Sequence, residues 1–351
     1  MSYIPTKQDE ARLRKTLREL KMRLAPLRAK LIDVGSTAKG TWLRDQSDID
    51  MYVLTEDPQR AYELVKETFP HGHDKKGQLT IWNFELNGFD VDLVLAVKGI
   101  KREDTMQHTK FFKRHLCKKQ VYEVRKAKAF LKTKGVYGAE IGGIVGIAIE
   151  ELIRQFKTFK EVCRVFTSTM IRPTIQDPTM TEQRDLLACI VPMRYKQLLR
   201  AFGDYLANPR FKYKPMTTAE FMEEHKDYCT LMFKRKYDKG LDYQTITSVA
   251  EKASRILRHT ETEVTVNIDS YCDSNRVLLT HIIRPLEFPN TKVVRVNPSL
   301  ADIDTFRKCH PDAYVENGMV CAVVPRKIIF PDTWFVNYVT HEMEARGYVL
   351  C

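Results

Sequence analysis

Apolar residues recur at spacings of four and three near the start of the chain, at Leu13, Leu17, Leu20, Leu24 and Leu27. That period puts them on one stripe of an amphipathic helix, with Pro26 near its end. The stripe reads as core or interface. The pattern then changes to short β-branched runs, and four strands follow: "KLIDVGS", "IDMYVLT", "LTIWNFEL" and "FDVDLVLAV", with a helix at "PQRAYELVKETF" between the second and third. From about Gln107 to Cys163 the pattern is helical. "YEVRKAKAFLKTKG" ends at a glycine, and "GIVGIAIEELIRQF" reads as a largely buried helix. After about Phe211 the composition shifts again: "TITSVAEKASRILRH" is a helix, while "EVTVNIDSY", "NRVLLTHII", "KVVRVNPS" and "GMVCAVVPRKIIF" read as strands. A separate α+β domain is expected there. There are no repeats and no low-complexity segments.

The chain's 351 residues, 43% of them hydrophobic, suffice for two or three domains with cores of their own. No apolar run approaches a membrane span, and the N-terminus turns charged at once, so a soluble cytoplasmic protein is expected. The eight cysteines are never closer than twelve residues apart, which excludes a CxxC zinc knuckle and fits buried or surface thiols in a reducing compartment. The formal charge of +12 favours a polyanionic partner. Most of it is local. Between Lys98 and Lys134 there are thirteen Lys or Arg against three acids, Glu103, Asp104 and Glu123. By itself such a run is as readily a solvated helical face as a phosphate-binding surface.

Chemistry is concentrated in "LIDVGSTAKGTWLRDQSDIDMYVL", residues 31 to 54. Asp48 and Asp50 stand at i and i+2 of a strand, so both side chains emerge on one face. Two carboxylates there repel unless a cation sits between them. Magnesium favours a few carboxylate oxygens together with substrate phosphates, so the pair suits a metal–nucleotide site. "FDVDLVLAV" offers a third acid on a further strand. Asp90 and Asp92 share a face, and chemistry alone does not choose between them. Upstream, Gly35 lets the backbone approach a ligand, and Ser36 has a hydroxyl and an amide to give to a phosphate at the start of a helix.

These residues resemble the nucleotidyltransferase superfamily that includes DNA polymerase β. More narrowly, "GSTAKGTWLRDQSDIDMYVL" is similar to the opening motif of class I, archaeal-type, CCA-adding tRNA nucleotidyltransferases. "DTMQHTKFFKRHL" resembles that family's Thr-x-x-His-Thr segment, "YEVRKAKAFLKTKGVYGAEIGGIVGIAIEELI" its next two helices, and "IQDPTMTEQRDLLACI" its "DPVDxxRNVAA" segment. Later likenesses lie in "TITSVAEKASRILRH" and "HPDAYVENGMVCAVVPRKIIF". The resemblance covers roughly residues 7 to 335 and is strongest between 31 and 186. Full-length members continue into a longer tail domain that holds the T arm of tRNA, so a reduced tail is expected in a chain that stops at Cys351.

The resemblance implies an α+β fold: a polymerase β-like catalytic head over residues 1–105, a helical nucleotide-recognition domain over 106–212, and a C-terminal α+β body with a shortened tail over 213–351. It implies that Asp48, Asp50 and Asp92 hold two Mg²⁺ ions, the alignment selecting Asp92 over Asp90. Ser36 and Lys39 match positions that touch the triphosphate. Lys39 replaces the family's usual Arg and so keeps the charge without the bidentate fork. Thr105, His108, Lys128 and Tyr137 match positions that contact triphosphate and sugar. Arg184 matches an arginine that reads the base edge of CTP or ATP, and Asp177 would help shape that pocket. Three departures stand out. Asp48 replaces a common Glu, "DLVLAV" lacks the proline of "DVVPCY", and "TMTEQRDLLA" differs on both sides of the arginine.

The activity implied is untemplated addition of C and A from CTP and ATP to the 3′ end of tRNA, with the basic helices facing acceptor-stem phosphates. An enzyme of EC 2.7.7 type, a monomer or homodimer, is expected. The alternative on the same scaffold is a poly(A)-type tailing enzyme or a synthase of oligonucleotide second messengers, favoured by the short tail. A third reading is an RNA-binding protein whose acids are relics.

Overall fold

A computed structural model describes residues 3–44, 48–75, 80–97, 104–139, 141–169, 171–180, 182–190, 192–235, 243–260, 265–272, 277–284, 291–297, 303–325 and 331–351. They form two compact units, 1–216 and 217–351. The first unit contains both the mixed sheet and the helices that follow it, so a division near residue 105 rests on the sequence.

The first unit begins with α1 (Lys7–Arg23), opened by a capping box in which Thr6 and Asp9 satisfy each other's free amides. Its leucine stripe packs into the core of a five-stranded sheet. Pro26 lies in a single 3₁₀ turn that ends the helical run. Then come β1 (Lys30–Val34), α2 (Gly35–Lys39), β2 (Ile49–Thr55), α3 (Pro58–Thr68), β3 (His73–Lys75), β4 (Thr80–Leu86) and β5 (Phe89–Val97). Strand order is β1-β2-β5-β4-β3, with β2 and β5 parallel and the other pairs antiparallel. The two central strands are covered on both faces, which is why "MYVL" and "VDLVLA" are nearly unbroken apolar runs. The acids of these two strands, Asp50, Asp90 and Asp92, all lie toward their N-terminal ends.

Among the described residues, five helices complete this unit: α4 (Asp104–His115), α5 (Lys118–Thr133), α6 (Gly146–Phe156), α7 (Phe159–Ser168) and α8 (Pro192–Ala207). The last four of them share a second core rich in aromatic rings, including Phe130, Phe159, Phe166 and Phe202. α4 runs against α2, β1 and α6, which brings helical residues to the open end of the sheet.

The second unit holds α9 (Thr218–Glu224), β6 (Cys229–Arg235), α10 (Tyr243–Thr260), β7 (Thr265–Cys272), β8 (Val277–Arg284), β9 (Thr291–Val296), α11 (Ile303–Cys309), β10 (Tyr314–Glu316), β11 (Met319–Pro325), α12 (Pro331–Glu344) and β12 (Tyr348–Leu350). Two antiparallel sheets result, ordered β12-β6-β8-β7 and β10-β11-β9. α10 packs on β7 and β8 and against α12. Among the described residues, no helix is long and apolar enough to cross a membrane.

Candidate active site

The parallel ladder between β2 and β5 sets Asp50 directly beside Asp92, so two carboxylates from distant parts of the sequence occupy neighbouring strands at one level. Asp48 lies one residue before β2 and continues the same alternation. Asp90 is placed differently: its partner on β4 is Glu85, and its residue is exposed where Asp92 is buried. Asn83 of β4 ties the two together, its Nδ2 donating to Asp90 Oδ1 and to Asp92 Oδ1, both at 2.7 Å. That bond orients the Asp92 carboxylate. Asn83 escaped the sequence reading, although a polar residue between Trp82 and Phe84 in an apolar strand was the available signal.

Gly35 explains itself through Asp50. Its φ is +72°, and a Cβ built there would lie 2.0 Å from Asp50 Oδ2. The glycine thus leaves room for the carboxylate, and its conformation is one that L side chains rarely adopt. Its amide donates to Thr109 Oγ1 at 3.2 Å, and that hydroxyl donates to the carbonyl of Thr105 at 2.8 Å, locking the turn after β1 to α4. Ser36 lies in α2, partly exposed, one residue further on. Thr105 is exposed at the start of α4.

A second cluster forms around Glu150 of α6, which is fully buried. Lys39 Nζ donates to its Oε2 at 2.6 Å, Lys128 Nζ to its Oε1 at 3.2 Å, and Thr41 Oγ1 to the same Oε1 at 2.7 Å. Lys128 also donates to the hydroxyl and carbonyl of Thr41 at 3.1 and 3.3 Å. Burial alone would push the Glu150 carboxyl up, but Lys128, Lys39 and the hydrogen bonds together hold it below its ordinary value. Tyr137 joins this group: a Cβ on Gly146 would meet Tyr137 Oη at 3.1 Å and Lys128 Nζ at 3.4 Å. Lys128 is therefore buried and bonded, not one of the exposed lysines of its helix. Glu150 was missed in the sequence, where two adjacent acids inside the apolar "GIVGIAIEELI" were the signal.

A third cluster centres on Asp177. His108 Nε2 lies 2.8 Å from Asp177 Oδ2, and Arg184 Nη1 lies 3.8 Å from the same oxygen. The Asp177 amide donates to the carbonyl of Arg184 at 2.9 Å, which fixes the hairpin carrying both residues. Burial raises the Asp177 pKa, yet the amide and hydroxyl of Thr179 and the neighbouring His108 outweigh it and hold the carboxyl low. The Arg184 side chain is half exposed, with one end of its guanidinium drawn toward the buried Asp177 carboxylate.

The basic segment separates into two kinds of residue. Lys110, Lys113, Arg114, Lys118 and Lys119 are exposed on α4 and α5, whereas Lys126 pairs with Glu123 and Lys134 with Asp204, each at 2.6 Å. Lys98, Lys101 and Arg102 lie outside the described residues.

A mixed sheet carrying acids on adjacent strands beside a Gly-Ser turn defines a nucleotidyl-transfer scaffold, and the nucleotidyltransferase domain family matches residues 13–126. The CCA-adding enzyme of Thermoplasma acidophilum is 33% identical over 199 aligned positions, covering 50% of this chain and 88% of that one. That of Pyrobaculum aerophilum is 32% identical over 184, covering 46% of this chain and 44% of the relative. That of Saccharolobus islandicus is 26% identical over 313, covering 78% and 74%. The chain belongs to the family of the CCA-adding enzymes. Against the Pyrobaculum relative, the matched part spans less than half of the relative's length.

Proposed function

We propose that this chain transfers nucleotides from CTP and ATP to the 3′ end of tRNA without a template, completing or repairing CCA. The observation that carries this reading is the register that sets Asp50 beside Asp92, joined to membership of the family.

The acids fit a divalent cation: hard oxygen donors on two adjacent strands, one oriented by Asn83 and one given space by Gly35, suit an ion that takes a few carboxylates and completes its shell with phosphate. Asp48, Asp50 and Asp92 would hold two Mg²⁺ ions. The chemistry such ions supply when bound is a lowered pKa at the RNA 3′-hydroxyl and neutralised charge at the departing pyrophosphate. The remaining residues position the substrates. Ser36, Lys39, Thr105, His108, Lys128 and Tyr137 would meet the triphosphate and sugar. The two lysines and one carboxylate of the Glu150 cluster sum to a net positive charge, which a triphosphate would meet. The exposed cations of α4 and α5 would take acceptor-stem phosphates, giving affinity that falls with salt and does not depend on sequence.

Arg184 would read the incoming base, held in place by Asp177. Arg184→Ala should therefore reduce discrimination among the four nucleoside triphosphates by roughly 10-fold or more, the scale of one lost charged hydrogen bond, with a smaller effect on triphosphate affinity. Competition between CTP and UTP, and between ATP and GTP, measures it. Unchanged selectivity would remove the role.

The test of the whole reading is labelled CTP and ATP with tRNA ending before CCA, after C and after CC, beside a reaction without RNA. Ordered addition of C, C and A that then stops is expected. RNA-independent product would make the protein an oligonucleotide synthase, and unbounded addition of A a poly(A)-type enzyme.

A further inference from the structure

In the C-terminal unit, the antiparallel ladder pairs Cys229 of β6 with His281 of β8. Residues directly opposite on such a ladder project from the same face, so a thiol and an imidazole stand side by side. Asp332, near the start of α12, closes over them, its Oδ1 lying 3.0 Å from His281 Nε2. One donor atom from each of the three residues lies within 4.8 Å of the others. His281 is fully buried, with its ring against Phe335 at 4.8 Å between centroids, and its Nδ1 meets no polar partner. Cys229 and Asp332 are exposed. The cluster thus sets a buried imidazole beside an exposed thiol and an exposed carboxylate.

We propose that Cys229, His281 and Asp332 form a transition-metal site, with Zn²⁺ as the ion it fits best. Bonds of about 2.0 to 2.3 Å to S, N and O in a tetrahedron put ligand atoms roughly 3.3 to 3.5 Å apart. The Asp332–His281 edge is already near that length, and the side-chain torsions of exposed Cys229 and Asp332 span what remains. The donor set excludes Mg²⁺ and Ca²⁺, which take oxygen ligands, and suits an ion of borderline softness. Thiolate and carboxylate together neutralise a divalent charge, and binding releases the thiol proton to solvent. Three protein ligands leave a fourth position to water. The ion would fasten the first turn of α12 to β6 and β8. β12 follows α12 and pairs with β6, so the end of the chain would be clasped at both sides of this sheet. This site is independent of the reaction proposed for the N-terminal unit.

The test uses the full chain, stripped with a chelator and titrated with Zn²⁺ by calorimetry and with Co²⁺ by absorbance. One equivalent should bind, Co²⁺ should give a thiolate charge-transfer band, and Zn²⁺ should raise the melting temperature. Cys229→Ser and Asp332→Asn change exposed side chains, so both variants should melt like the stripped wild type. Each should bind Zn²⁺ at least about 100-fold more weakly, the upper scale already reached when only an outer-shell partner is lost. No uptake by the wild type, or wild-type affinity in either variant, overturns the site.

Discussion

Asp50→Asn should lower the rate of nucleotide incorporation at least about a thousandfold and leave the unfolding transition in place. The side chain keeps its shape and loses its charge, so the space beside Gly35 remains filled while the site loses one anionic oxygen donor. A metal's contribution to transition-state charge is several kcal/mol; about 4 kcal/mol corresponds to about a thousandfold in rate. Asp92→Asn should behave alike, because Asn83 can donate to an amide oxygen as it does to the carboxylate. Single-turnover incorporation of labelled CTP, read beside a thermal melt, separates the chemical loss from misfolding. Wild-type turnover in either variant would end the assignment of these acids to catalysis. Asp90→Asn is the internal contrast: Asp90 is exposed and faces Glu85 in the ladder, so its loss should cost far less.

Much of this was readable from the chain. Four of the five N-terminal strands were marked by apolar runs, and "IDMYVLT" and "FDVDLVLAV" match β2 and β5 residue for residue, whereas the three-residue β3 carried no such run. What local pattern could not supply was neighbourhood. That β5 inserts between β2 and β4, and so sets Asp92 beside Asp50, follows from pairing across the sheet and not from period. The Glu150 cluster has the same character. Its helix was legible as buried, but the reason a carboxylate survives there is a pair of lysines from α2 and α5, remote in sequence. In the second unit β7, β8, β9 and β11 were visible as β-branched runs, while β6, β10 and β12 were not. β10 and β12 are three residues long, and β6 ends in charge, so none of them offers a sustained alternation. The Cys229–His281 pairing depended on β6 and was invisible with it.

Glu150→Gln should destabilise the N-terminal unit by about 3 to 5 kcal/mol, the usual cost of breaking a buried ion pair from one side. The amide preserves volume and one acceptor, so the loss reports charge more than packing. Lys128 and Lys39 would be left with no carboxylate between them, both nearly sealed from water. Either they stay charged at a desolvation cost, or one gives up its proton. The variant should unfold at lower denaturant with an unchanged slope, since the surface exposed on unfolding is the same. Acid should narrow the difference. The Glu150 carboxyl is held low in the folded chain, so its stabilisation is complete above the unfolded value of about 4.3 and is lost as pH falls through the folded one. Wild type and variant should therefore converge only well into acid. The same substitution should raise KM for the nucleoside triphosphate, because Lys39 and Lys128 lose the group that fixes both. An unchanged denaturation midpoint at neutral pH would mean that the paired charges return no more than their own desolvation cost. The cluster would then be a device for placing cations and not for holding the fold.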